Sequence, residues 1–231
     1  MFERQLQHYL LLAVLLVGVR VTVSQNDSLL AGQFLGIPTG TWLAVALAVP
    51  ILHQFYVWFV WRSELHRSSI SKWFGQERGF RYYAVGFFLL FIPRPISIIL
   101  VGLSNQGSLN LDPLVVFTLV VVLLIPWGYF QYSMQKYFGF TRGLGADHFD
   151  PSYYRTLPFV RQGMFRYTDN GMYTCGFLPL WILGLVFFSQ AALLAALFQH
   201  LYIWVHYYCT ELPDIYAIYG KKVKEVAGHA A

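Results

Sequence analysis

The chain has 231 residues, 57% of them hydrophobic and 19% aromatic, and its 12% of charged residues is about half the share of an average soluble domain. With a mean hydropathy of +0.50, this composition excludes an ordinary soluble domain. The net charge of +5 is dispersed between apolar segments without any Lys/Arg-rich run, which argues against a nucleic-acid partner.

Apolar segments at 8–24, 40–61, 82–103 and 113–133 each suit one membrane-spanning helix, since about 20 apolar residues cross a bilayer. So many spans exclude a secreted protein that merely carries a signal peptide. A further apolar stretch, 177–209, reads as a helical hairpin split near Ser189-Gln190. Its first arm is short and carries Pro179 and Gly184, and its second runs as one long helix from Ala191 to Thr210. The predicted fold is all-α: a polytopic membrane helix bundle of four spans plus a C-terminal helical hairpin and a cytoplasmic cofactor pocket. Residues 1–133 form the N-terminal spans, and 134–231 supply the loop, hairpin and tail that carry the site.

Orientation follows from the basic residues. Arg62, Arg67, Lys72, Arg78 and Arg81 fill the second connection, and Lys136, Arg142, Arg155, Arg161 and Arg166 the long fourth one. Lys221, Lys222 and Lys224 lie in the tail, whereas 25–39 and 104–112 contain neither Lys nor Arg. The positive-inside rule therefore predicts that both termini and the charged loops are cytoplasmic. Arg20 is read as snorkelling from the first span, and the sequon Asn26-Asp27-Ser28 as a chance match. Nothing in the sequence specifies an oligomeric state.

Pro93-Arg94-Pro95 interrupts the third span. An Arg at membrane depth needs a partner; Arg94 is a candidate substrate-binding residue through a lipid phosphate, and snorkelling or pairing inside the bundle is the equal alternative. In the long loop, Gly139 to Gly145 lacks the third glycine of a dinucleotide fingerprint and reads as a flexible turn. Asp147-His148-Phe149-Asp150 reads as a polar surface loop, with His148 gating or binding substrate as the minor reading; one His between two acids is a poor metal set. Cys175 and Cys209 form no disulfide or metal pattern.

Two polar, aromatic-rich boxes stand at the ends of the hairpin, which returns the chain to the face it left. The first, Gly163 to Tyr173, holds Arg166, Tyr167, Asp169, Asn170, Met172 and Tyr173. Asp169 or Asn170 is expected to cap a helix beginning at Met172. In the second box, His206, Thr210 and Pro213 share one helical face, and Tyr207 and Glu211 share the next. Cys175 and Cys209 read as small apolar residues packed near this pocket.

At these residues the sequence resembles the integral membrane methyltransferase family that includes phosphatidylethanolamine N-methyltransferases and isoprenylcysteine carboxyl methyltransferases. The family's G-x-F-R-Y-x-R-H-P-x-Y box is matched by Gly163, Phe165, Arg166, Tyr167 and Tyr173, without the R-H-P core. Animal-type phosphatidylethanolamine methyltransferases show Asn-Pro where this chain has Asn170-Gly171. The second box, Thr210-Glu211-Leu212-Pro213-Asp214, has one Glu where the family often has two. The resemblance spans about 134–224. It implies an S-adenosylmethionine-dependent methyltransferase whose donor lies between a wall of Arg166, Tyr167, Asp169, Asn170, Met172, Tyr173 and Gly176 and one of His206, Tyr207, Glu211 and Asp214. Arg166 would replace the missing core in holding the donor carboxylate. Glu211, His206 or Asp169 would act as catalytic base toward a membrane lipid or lipophilic acceptor, with a phospholipid amine headgroup as the leading candidate. Alternatives are a prenylcysteine carboxylate, quinone-like or small thiol acceptor, an NADPH-dependent reductase of the steroid-reductase type, and a non-catalytic membrane protein.

Overall fold

The computed structural model describes residues 1–220, so Lys221, Lys222 and Lys224 of the basic tail lie outside the described residues. Four helices are long and apolar enough to cross a membrane. They are α1 (Gln5–Ser24), α2 (Thr39–Arg67), the run from α4 (Gln76–Phe91) into α5 (Pro93–Ser104), and α6 (Pro113–Ser133) with its extension to Phe138. The third span is thus two helices rather than one. Ile92 keeps helical angles between them, while Pro93 and Pro95 remove the N–H groups that would bond Leu89 and Phe91. A one-turn helix, α3 (Ser71–Phe74), joins α2 to α4, and the loop after α6 carries two short helices, α7 (Phe140–Gly143) and α8 (Pro151–Thr156). Before α2, Gln33–Phe34 (β1) pairs antiparallel with Ile37–Pro38 (β2) through a tight turn in which Leu35 and Gly36 both have positive φ.

The C-terminal hairpin forms as α10 (Leu178–Val186) and α11 (Gln190–His206), with its turn where the polar pair predicts it. Ser189 caps α11 by accepting from the Ala192 N–H. The tip is tied to both Lys/Arg-free connections. Asn26 Nδ2 donates to Gln190 Oε1 at 2.7 Å, Gln190 Nε2 donates to the Ser108 carbonyl at 2.6 Å, and Asn105 Oδ1 accepts from the Ala191 N–H at 3.0 Å. The hairpin therefore reaches from the charged end of the bundle to the opposite end, and the Asn26 side chain is engaged in holding it there.

α11 packs against α1, α2, α5 and α10. Ala191, Ala192, Ala195 and Ala196 have no exposed surface and meet Leu43, Ala46, Ile98 and Val101. Such small side chains let membrane helices approach closely, where van der Waals packing holds them. By contrast Leu114, Phe117, Val122 and Ile125 of α6 face outward, as a lipid-facing helix requires.

The bundle has two chemically different ends, and their sidedness is testable. In a background lacking Cys175 and Cys209, single cysteines at Arg67, Lys72, Arg142 or Arg161 should react with an impermeant thiol reagent only from the cytoplasm. A cysteine at Gly107 should react only from the other side. Labelling of residue 142 or 161 from the side that labels residue 107 would overturn this orientation.

Candidate functional site

At the charged end α11 widens into a π turn, Tyr207–Glu211, and then continues as α12 (Leu212–Tyr219). Pro213 has no N–H to offer the Cys209 carbonyl one turn back. That carbonyl accepts instead from Gln5 Nε2 and Arg62 Nη2, each at 3.3 Å, and Arg62 Nη2 also reaches the Thr210 carbonyl at 3.2 Å. Arg62 is 1% exposed and pairs with Asp214 at 2.5 Å. His148 bonds Asp147 through Nδ1 at 3.0 Å and Asp214 through Nε2 at 3.4 Å, and the Tyr219 hydroxyl donates to Asp147 at 3.0 Å.

Asp147 and His148 are therefore not a polar surface loop. They are buried, and the His148 ring stacks on Trp61 with centroids 4.2 Å apart. Gly145 makes that stack possible: its φ is +83°, and a Cβ there would come within 2.4 Å of the Trp61 ring. Burial alone would lower the His148 pKa, but the Asp147 charge and the hydrogen bonds the ring donates to both carboxylates outweigh it and raise it to about 10. Burial likewise pushes Asp147 up, and the adjacent imidazolium reverses this to a net lowering. The quartet of Arg62, Asp214, His148 and Asp147 is neutral overall, as buried charges must be. With both ring nitrogens bonded, His148 has none left for a substrate.

Beside this quartet lie two adjoining chambers. A polar one of about 200 Å³ is lined by Arg142, His148, Arg161, Asp169, Asn170, Tyr207 and Glu211, among others. A larger, mostly apolar one of about 400 Å³ extends into the bundle between α2, α4, α6 and the hairpin, and is lined by Phe87, Phe91, Trp127, Phe130, Phe177 and His206, among others. Trp61, Gly143, Met172 and Tyr173 border both. α4 and α6 scarcely touch each other, and Phe88 and Phe91 of the lining are exposed, so the apolar chamber opens sideways on the outer surface of the bundle. On the shared wall the Tyr173 hydroxyl donates to Glu211. Burial pushes the Glu211 carboxyl up to about 7, although the Tyr173 bond acts in the opposite direction.

Of the residues the sequence nominates, Asp169, Asn170, Met172, Tyr173, Tyr207 and Glu211 meet around the polar chamber. Gly176, His206 and Arg94 line the apolar one. Arg166 and Tyr167 fall outside both linings. The 3-10 turn Gly163–Arg166 buries Met164 and Phe165 and leaves Arg166 and Tyr167 exposed. Asp214 is consumed by Arg62 and His148. Asn170 occupies the N-cap position of α9 (Gly171–Thr174), but its side chain makes no cap bond and interacts with Tyr207. The shared-face pattern of 206–213 is broken by the π turn, although His206, Thr210 and Pro213 are all buried. Cys175 packs partly buried beside Phe130 and Phe165, and Cys209 is buried against α1.

Sequence reasoning missed Arg142 and Arg161 as lining residues, taking them only as markers of orientation. Their position in a long basic loop leading to the first box was the available signal.

Fold and site together define a polytopic helical membrane protein with a two-chambered pocket at its basic end. No family model, curated protein or solved structure matches the chain.

Proposed function

We propose that this protein is an S-adenosylmethionine-dependent methyltransferase acting on a lipid or lipophilic acceptor, with a phospholipid amine headgroup as the best-suited substrate. The observation that carries the reading is the wall shared by a polar and an apolar chamber, with Tyr173 and Glu211 at their junction. Two reactants of opposite polarity can meet there without mixing their environments.

The polar chamber suits the donor. The only hydrogen bond to the Glu211 carboxyl among the described residues comes from Tyr173, leaving lone pairs for ribose hydroxyls or an ammonium. Arg142 and Arg161 replace Arg166 as the groups for the donor carboxylate, and Phe138, Phe159 and Phe165 offer flat faces to an adenine. When bound, S-adenosylmethionine supplies an electrophilic methyl, so the protein contributes chiefly positioning and exclusion of water. An acceptor amine must lose its ammonium proton before it can attack the methyl. His206, on the apolar chamber with neither ring nitrogen hydrogen-bonded, takes that proton, while Glu211 holds the donor. Asp169 is exposed at the rim of the polar chamber and contributes charge there.

S-adenosylhomocysteine should raise the melting temperature of the purified protein by mass action, and NADPH should not. Tritium from methyl-labelled S-adenosylmethionine should enter the amine lipids of a total extract. A shift with NADPH alone would move the assignment to a reductase.

A further inference from the structure

Arg94 lies at the start of α5 and is 2% exposed. Its Nε donates to Gln199 Oε1 at 3.1 Å, its Nη1 approaches His53 Nδ1 at 3.4 Å, and its guanidinium stands 4.8 Å over the Phe177 ring. No carboxylate pairs with it among the described residues. Arg62, equally buried, has Asp214. Uncompensated charge in a membrane interior is costly and marks a functional position.

The surroundings of Arg94 add further donors rather than a counter-ion. An arginine can only donate, so its contact fixes His53 Nδ1 as acceptor and leaves the proton on Nε2. His53 Nε2, Gln54 Nε2 and Arg94 Nη2 are all buried and all lack a hydrogen-bond partner. His53, Gln54 and Arg94 line the apolar chamber together. Three unsatisfied N–H donors, one of them on a permanent cation, lining one otherwise apolar cavity describe half of an anion site.

We infer that Arg94, His53 and Gln54 bind the phosphate diester of a phospholipid whose acyl chains occupy the apolar chamber. The inference rests on the methyl-acceptor reading for what the rest of the lipid does, and the spacing suits it. Gln199, which holds Arg94, and His206 are seven residues apart on α11, about 10 Å at 1.5 Å per residue. An extended phosphate-to-amine headgroup with a hydrogen bond at each end covers such a distance. A lipid held by its phosphate at Arg94 would therefore present its amine at His206, beside the shared wall.

The test uses the full chain in dodecyl maltoside micelles and phosphatidylethanolamine with brominated acyl chains, which quench Trp61 and Trp127 of the lining. Quenching should saturate, and brominated diacylglycerol, which lacks the phosphate, should bind at least tenfold more weakly. Inorganic phosphate at the same concentration should neither quench nor compete, and brominated oleate tests whether a carboxylate suffices. Arg94→Gln should weaken phosphatidylethanolamine binding about tenfold to a hundredfold, the worth of a charge-assisted bond, with Arg94→Lys between the two. Equal affinity of the wild type for phosphatidylethanolamine and diacylglycerol would overturn the inference, as would tighter binding of oleate or unchanged binding by folded Arg94→Gln. If that variant does not fold, the wild-type comparison of lipids decides alone. S-adenosylhomocysteine binding is measured on the same wild-type preparation. Selective lipid binding without it would sink methyl transfer and leave the phosphate site standing.

Discussion

Asp214→Ala should destabilise the protein by about 3–5 kcal/mol, because it removes one partner of a buried ion pair and leaves the other charged. Asp214 faces both Arg62 and His148, and all three side chains are almost completely buried. The Ala variant keeps two cations with only Asp147 to balance them. Chemical unfolding in detergent, followed by tryptophan fluorescence, should show the loss. A loss of about 1 kcal/mol or less, the range of an exposed ion pair, would mean that water reaches the quartet. The same network sets an alkaline limit. His148 has its pKa raised from 6.5 to about 10, so its contribution is fully present below 6.5 and is lost as pH rises through about 10. The unfolding midpoint should fall between neutral pH and pH 10, and His148→Phe should flatten that slope.

Glu211→Gln should weaken binding of S-adenosylhomocysteine by roughly 1.5–3 kcal/mol, tenfold to a hundredfold, while the protein inserts and folds normally. Gln keeps the shape and can still accept from Tyr173, so a change of affinity would report the charge. The pH dependence has a definite sign. With the carboxyl pushed up to about 7, the anion forms as pH rises through that value, and donor affinity should climb with it. The Gln variant should lose that climb. Arg161→Ala should also weaken donor binding, whereas Arg166→Ala should not, because Arg161 lines the polar chamber and Arg166 lies outside both chambers. Calorimetry of the three variants against the wild type separates these expectations. Wild-type affinity in Glu211→Gln would remove Glu211 from the donor site.

What the sequence makes legible is governed by hydropathy and chain direction. The four spans, the hairpin and its turn at Ser189-Gln190 all follow from apolar length and a local polar pair, and the structure has each of them. The meeting of Asn170, Tyr173, Tyr207 and Glu211 follows in turn, because a hairpin must bring its two mouths together. Other features depend on partners distant in the chain. Asp147 and His148 read as solvated until Asp214 and Tyr219 are placed beside them. The broken ladder at Cys209 becomes a π turn because Gln5 and Arg62 satisfy the freed carbonyls, and no window of helical periodicity contains that information. The turn at Gly163–Arg166 decides which of its side chains point inward by packing on Phe130 and Phe138, which a linear motif cannot express.

Arg62 also binds the carbonyls of Met1 and Glu3, Arg4 reaches the Tyr208 carbonyl, and Gln5 reaches the Cys209 carbonyl and the Thr210 hydroxyl. The segment that leads into α1 is thus a structural part of the α11–α12 helix pair. Because contacts of such sequence separation form late, α1 must wait in the bilayer, its buried Gln5 and His8 unmatched, until α11 and α12 arrive. Assembly at the insertion machinery is therefore expected to end in one closing step, in which α1, α11 and α12 become native together. A chain stalled before residue 208 would hold four inserted spans and no site.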